Sequence, residues 1–252
     1  MSFDPLALLF LFAAGVGAGL TGSIAGLASL VSYPALLAVG LSPVSANVTN
    51  TVAMLGTTIG AAAGSRPELA GQRGRLKVLC SITAAGGALG AALLLWTPSD
   101  TFTFIVPFLI AGASILLFVA PKLRKVSANS SGLGPVTGAA AFAVAIYGGY
   151  FGAAAGVLML ALLSTVWAQS LARSNAAKNI ATGAANLIAA VVFAFTGEVD
   201  WPSVVALCLG SVLGSWVGPA VVRRLPATPL RIGIGLAGLG LAGTLAWQAF
   251  AA

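Results

Sequence analysis

Two apolar runs, Pro5–Val39 and Leu133–Trp167, are each 35 residues long, and their length constrains this chain more than any other feature. A straight helix of that length reaches about 52 Å, whereas the hydrocarbon core of a bilayer is roughly 30 Å thick. Each run must break or fold back on itself. Each carries a glycine-rich stretch at which to do so, "GLTGSIAG" in the first and "GGYFGAAAG" in the second. Six further apolar runs have the length of a single crossing: Ala46–Gly64, Leu76–Trp96, Phe102–Ala120, Ala176–Thr196, Pro202–Val222 and Leu230–Phe250. The runs are continuously apolar rather than alternating with a period of two, which implies helices and not a barrel. Only 7% of the residues are charged and none is histidine, against roughly 25% charge in soluble domains. The sequence therefore reads as an all-α membrane protein with no soluble domain. "MSFDPLALLF" at the start lacks the basic region of a cleaved signal and is expected to be retained.

Three connecting stretches are basic: "RPELAGQRGRLK" (66–77), "KLRK" (122–125) and "RRLPATPLR" (223–231). Lysine and arginine collect in cytoplasmic loops, so these three face the cytoplasm and need no nucleic-acid partner to explain them. Asp100, Glu198 and Asp200 lie in loops assigned to the outside. The assignments agree only if each long run is a helical hairpin, re-entrant or built of two short spans. Both termini then lie outside a cytoplasmic (inner) membrane. Residues 1–125 and 126–252 consequently have the same order of elements, a glycine-broken hairpin followed by three transmembrane helices, in opposite orientations. That is a pair of inverted-topology repeats in one membrane domain. Sequence echoes agree: Gly149, Gly152 and Gly156 follow Gly19, Gly22 and Gly26 at a distance of 130 residues, and "GSVLG" (210–214) answers "GGALG" (86–90). Secondary transporters use such repeats and bind substrate between them, near interrupted helices.

The candidate substrate-binding residues follow from that plan. Gly15 and Gly19 read as close-packing positions. Around Thr21, Gly22 and Ser23 a break is expected, with Ser23 as the N-cap of the following half-helix, whose free N–H groups and positive dipole end favour an anion. Gly152 and Ala153 mark the matching tip, where alanine allows close approach but offers no side-chain donor. Each hairpin is followed by a polar helix start, "SANVTNT" (45–51) and "SNAAKNIAT" (174–182). Asn47, Thr49, Asn50, Asn175 and Asn179 in these starts, with Asn186 beyond them, are costly in a membrane unless satisfied. Any one of them serves as an interhelical hydrogen bond; as a cluster beside both hairpins they are expected to line a polar cavity. Lys178 either snorkels to the cytoplasmic surface or faces inward, where no carboxylate is at hand as counter-ion and an anionic substrate is. Arg173, nearer the loop, is expected to snorkel. Cys80 and Cys208 stand apart in apolar runs and form no metal or redox spacing. There is no nucleotide-binding loop, metal cluster or catalytic triad, so no cofactor and no enzymatic activity is expected.

At these positions the sequence resembles the sulfite exporter TauE/SafE family of membrane transporters over essentially the whole chain. The resemblance rests on Gly19, Gly22, Gly26, Pro34, Gly40, Pro43, Ala46, Thr49 and Asn50 in the first half. In the second half it rests on Gly149, Gly152, Gly156, the "AAK" ending at Lys178 and "GEVDW" from Gly197. It departs at Leu27 and Ala28, where many members continue the glycine run. The resemblance implies export of sulfite or a small organosulfonate, whose three acceptor oxygens suit N–H groups, amides, hydroxyls and an ammonium. An anion channel and a non-transporting membrane scaffold are the rival readings. Proton-coupled carriers commonly hold carboxylates or histidines within the membrane; none stands at that depth in this sequence, so electrogenic uniport is the expected driving mode.

Overall fold

The computed structural model describes residues 4–123, 133–195, 198–222, 232, 236 and 239–247, and among these there is no β-strand. The helices are α1 (Pro5–Ala25), α2 (Ala28–Ala38), α3 (Pro43–Ala53), α4 (Leu55–Gly64), α5 (Arg66–Leu69), α6 (Arg73–Trp96), α7 (Ser99–Leu123), α8 (Pro135–Tyr150), α9 (Ala155–Val166), α10 (Leu171–Ala194) and α11 (Trp201–Val222). Residues 239–247 are helical as well. The basic stretch 223–231, residues 124–125 of "KLRK" and Gly197 of "GEVDW" lie outside the described residues.

Local sequence sets where helices start. Asp4 accepts a hydrogen bond from the Leu6 N–H ahead of Pro5, and Ser42 does the same for Ser45 ahead of Pro43. Ser170 caps α10 through the Arg173 N–H. An oxygen at the N-cap satisfies a free N–H, and proline in the first turn has no N–H to satisfy. Five helices, α1, α6, α10 and the greater parts of α7 and α11, are long and apolar enough to cross a bilayer. Large apolar side chains such as Phe104, Phe108, Leu209 and Trp216 are exposed, whereas Asn47, Asn50, Lys178, Ser211 and Ser215 are buried. An apolar exterior around a partly polar interior is the arrangement a lipid solvent demands. The chain is a multi-pass membrane protein.

Both long apolar runs break, as their length requires. The first breaks at Gly26, whose φ of +78° is a left-handed conformation that costs glycine nothing. Its N–H closes the end of α1 on the Gly22 carbonyl at 2.8 Å. α2 then returns along α1: the Cβ position of Gly22 faces Ala28 and that of Gly17 faces Val31. With 21 and 11 residues, the arms are about 31 Å and 16 Å long, so the hairpin pairs one full-length arm with a half-length arm. The second run breaks between α8 and α9, where Gly152 (φ +78°) and Ala154 (φ +59°) are both left-handed. The expected break at Ser23 is corrected: Ser23 lies inside α1, its hydroxyl donates to the Leu20 carbonyl, and α2 starts at Ala28 after Leu27 with no side-chain cap. The backbone turns at a glycine, where a left-handed residue is cheap, and packing against Gly156 makes that glycine Gly26.

The expected single helix over 46–64 is interrupted as well, at Met54, which separates α3 from α4. The remaining packing is dominated by two glycine-lined pairs. In the first, Gly210 and Gly214 of α11 lie against the backbone of Phe12, Val16 and Leu20 in α1, while Gly15 and Gly19 face Leu207 and Ser211. In the second, Gly86 and Gly90 of α6 lie against the backbone of Phe142, Ile146 and Tyr150 in α8, and Gly149 faces Gly87. Without side chains between them these helices approach at backbone distance, the small-residue mode of packing in membranes.

The bundle has two chemically different ends. At one, Ser45 donates to the Glu198 carbonyl at 2.8 Å, Asp200 N–H donates to Thr49 at 3.0 Å, and Tyr150 O–H reaches Thr97 at 3.3 Å. At the other, the segment 66–75, which holds α5 and the start of α6, meets the start of α10, where the Arg173 guanidinium donates to the Ala70 carbonyl at 2.9 Å. The first end holds Asp100, Glu198 and Asp200; the second holds Arg66, Arg73, Arg75 and Arg173.

Candidate functional site

The site grows from the tip of the first hairpin. The carbonyls of the C-terminal turn of α1 lie at the helix end, and α10 supplies donors to two of them: that of Gly22, which also takes the Gly26 N–H, and that of Ser23. Lys178 Nζ donates to the Gly22 carbonyl at 2.9 Å and Asn175 Nδ2 to the Ser23 carbonyl at 2.7 Å. Asn179 Nδ2 stands 3.5 Å from the same Ser23 carbonyl, too long to contribute much. Lys178 is 1% exposed. It does not snorkel; its ammonium sits where the negative end of the α1 dipole is concentrated. One of its three hydrogens is used on Gly22.

Lys178 also borders a cavity of about 60 Å³ lined by residues of α1, α2, α4, α6, α8, α9 and α10. A single water needs roughly 10 to 15 Å³ on this measure, so the space suits a small polyatomic ion. Its polar lining is Lys178, Asn179, Asn186, Ser29, Thr57 and Thr83, together with Thr182. No carboxylate lines it among the described residues. Both half-helices begin at its wall: Ala28 and Ser29 open α2, and Ala155 and Gly156 open α9. The N–H groups of Ala28, Ser29 and Gly156 have no hydrogen-bond partner within the described residues. Two helix N-termini and one ammonium therefore converge on one space. On its wall the two breaks touch: a Cβ on Gly156 would lie 2.7 Å from the Gly26 Cα.

Of the residues singled out from sequence as candidate ligands, Gly22, Gly152, Lys178, Asn179 and Asn186 line this cavity. The others do not, and each has a structural occupation. Thr21 donates back to Gly17 and Ala18, and Ser23 to Leu20. Asn47 donates to the Tyr150 carbonyl at 2.9 Å, holding the second tip much as Asn175 holds the first. Thr49 accepts from Asp200. Asn50 accepts from Ser32 and donates to Ser29 at 3.1 Å. The Ala153 carbonyl accepts from Tyr147 O–H at 2.7 Å. The asparagine cluster thus divides: Asn47, Asn50 and Asn175 tie helices together, and Asn179 and Asn186 face the cavity. Sequence reasoning missed Ser29, Thr57, Thr83 and Thr182. Two of them carried a signal: Ser29, at the start of the half-helix after the break, and Thr182, the last residue of the polar stretch 174–182.

A family model described as sulfite exporter TauE/SafE matches residues 11–245. The chain belongs to this family. Among curated relatives of this TauE/SafE protein, YfcA of Escherichia coli K12 is 29% identical over 220 residues, 87% of this chain and 82% of the relative. A Sinorhizobium protein, ORF9, is 29% identical over 224 residues, 84% and 81% of the two chains. A Haemophilus influenzae protein is 26% identical over 239 residues, 92% and 90%. All three carry the description "probable membrane transporter protein". No solved structure matches this chain. The match spans both hairpins and all the helices that border the cavity, so the family assignment and the site concern the same part of the molecule. The chain is a membrane transporter and not an enzyme.

Proposed function

We propose that this protein exports a small sulfur oxyanion, sulfite or an organosulfonate, across the cytoplasmic membrane by alternating access, and that the cavity beside Lys178 is where the anion binds. The observation that carries the proposal is the convergence on one cavity of the Lys178 ammonium and the unpartnered N–H groups that open α2 and α9. Helix N-termini favour anions, and a charge-assisted bond from an ammonium adds to them. Gly22, Gly152, Lys178 and Asn179 are the sequence-derived residues assigned to the anion, joined by Ser29, Thr57 and Thr182. Thr21, Ser23, Asn47, Thr49, Asn50, Ala153 and Asn175 are assigned to holding the tips and helices in place.

The proposal includes two inverted halves, 1–125 and 126–252, with both termini outside. Supporting this is a correspondence between the two glycine-lined pairs. Gly210 and Gly214 meet Phe12, Val16 and Leu20; Gly86 and Gly90 meet Phe142, Ile146 and Tyr150, each 130 residues later in the chain. Gly26 and Gly156, 130 residues apart too, meet each other, as equivalent positions on a two-fold axis would. The basic and acidic ends of the bundle support the orientation through the positive-inside bias.

Thermal unfolding of the purified protein against sulfite, alkyl sulfonates, sulfate and small carboxylates tests the ligand class. A ligand at a hundred times its Kd stabilises the folded state by about 2.7 kcal/mol. Sulfite or a sulfonate is expected to raise Tm more than carboxylates do; equal shifts across the panel, or none, would reject the assignment.

A further inference from the structure

Trp167 stands in the connection between α9 and α10 and is 2% exposed. Its ring packs in one cluster with Leu79, Leu163, Ala177, Met159 and Ala181, and the last two also line the cavity. On the other side the Arg75 guanidinium lies over the ring, 5.8 Å from its centre, a cation–π distance. Arg75 belongs to the basic end. The indole therefore fills the space between that end and the cavity. Its Nε1–H is buried with no hydrogen-bond partner, although tryptophan normally finds one when buried and an orphaned buried donor is costly.

The opposite end is packed differently. Tyr33 and Phe151 meet edge to face at 5.3 Å, and Phe102 packs on Tyr150 at 5.9 Å and on Phe151 at 6.2 Å. The hydroxyls there are satisfied: Tyr33 donates to the Pro43 carbonyl and Tyr150 to Thr97. Four interlocked rings with satisfied polar tips pack at one end; a single ring with an unsatisfied donor packs toward the other. Trp167 has φ −108° and ψ 114°, an extended conformation outside both helices, so its ring can change position without unwinding either.

We propose that Trp167 is the gate between the cavity and the basic end: seated under Arg75 it closes the route, and when it swings out the cavity opens to that end and the indole N–H gains water or the anion as a partner. The gate rests on the transport reading, because only a carrier needs to open and close this cavity. It makes the basic end the side that opens first from the structure described here.

The test is the rate at which a membrane-impermeant thiosulfonate reagent labels a single cysteine in the cavity, Thr182→Cys in a Cys80→Ala, Cys208→Ala background. The full chain is used in oriented vesicles that expose one end at a time. Trp167→Ala is expected to raise the rate from the basic end at least ten-fold and to leave the rate from the acidic end unchanged. Arg75→Leu, which removes the charge over the ring, should raise it several-fold. Trp167→Phe, which keeps a ring and removes the orphaned donor, should lower it below the native rate. A native rate in Trp167→Ala, or an equal rise from both ends, would overturn the gate. Should Trp167→Ala fail to fold, the opposite shifts of Arg75→Leu and Trp167→Phe decide, and no change in either overturns it. Labelling needs no substrate. If the gate results hold while no oxyanion stabilises the native protein, the sulfur-oxyanion reading fails and the gate stands.

Discussion

Lys178 binds the Gly22 carbonyl and faces the cavity, so its removal acts on two things at once. Lys178→Ala is expected to weaken binding of the anion by about 1.5 to 3 kcal/mol, roughly ten- to over a hundred-fold in Kd, measured by titration calorimetry. Unchanged affinity would limit Lys178 to holding the tip. Gly156 offers a second single-residue test. It lies in helical backbone, so Gly156→Ala adds only a methyl group, directed at the Gly26 backbone. Overpacking of that kind costs about 1 to 3 kcal/mol and should lower Tm, whereas Gly74→Ala in α6, with nothing within 4 Å, should leave it unchanged or slightly raised. A Gly156 variant as stable as the native protein would mean that the two tips do not meet. Lys178 was legible in the sequence because a cation inside an apolar run with no carboxylate nearby has few possible roles. Ser23 was misread because Gly22 and Gly26 are equivalent in a linear pattern. Only the fold, which puts Gly26 against Gly156, selects which glycine turns the chain.

At the level of elements, run length was the dependable signal. It required both hairpins before any contact was known, and the structure has both. What length does not reveal is the break at Met54, since residues 46–64 make one crossing whether or not the helix is continuous. The strained element is the second tip. Ala154 is the one non-glycine residue with positive φ among those described, and the adjacent Ala153 carbonyl is fixed by Tyr147. A left-handed alanine costs roughly 1 to 2 kcal/mol that glycine avoids, so Ala154→Gly should raise Tm; a lowered Tm would mean that the conformation is not strained. The two ends of the bundle give a further element-scale test. Cysteines at Ser45 and the exposed Gly74 should be labelled by an impermeant reagent from opposite sides of the membrane, Ser45→Cys from outside. Labelling of both from one side would contradict the arrangement of α3 and α4 as an interrupted crossing.

For the whole molecule, the charge pattern and the echoed glycines together suggested inverted halves, and the paired contacts of α1 with α11 and α6 with α8 have the same spacing. Lys178, Asn179, Asn186 and the glycines of the two tips were singled out in the sequence and line one cavity, but most of its hydroxyls were not, because threonines dispersed along separate helices share no pattern until those helices pack. The central claim is that this cavity carries an anion across the membrane through Lys178. A monovalent anion leaving a cell that is negative inside gains about 2.3 kcal/mol per 100 mV, close to a fifty-fold gradient, so the potential alone suffices to drive export. The most direct measurement is flux of a permanently charged alkyl sulfonate in proteoliposomes under an imposed potassium-diffusion potential with no pH gradient. The account predicts saturable flux that follows the sign and size of the potential in the native protein and is largely lost in Lys178→Ala. Flux that ignores voltage, or that is the same with and without Lys178, would contradict it.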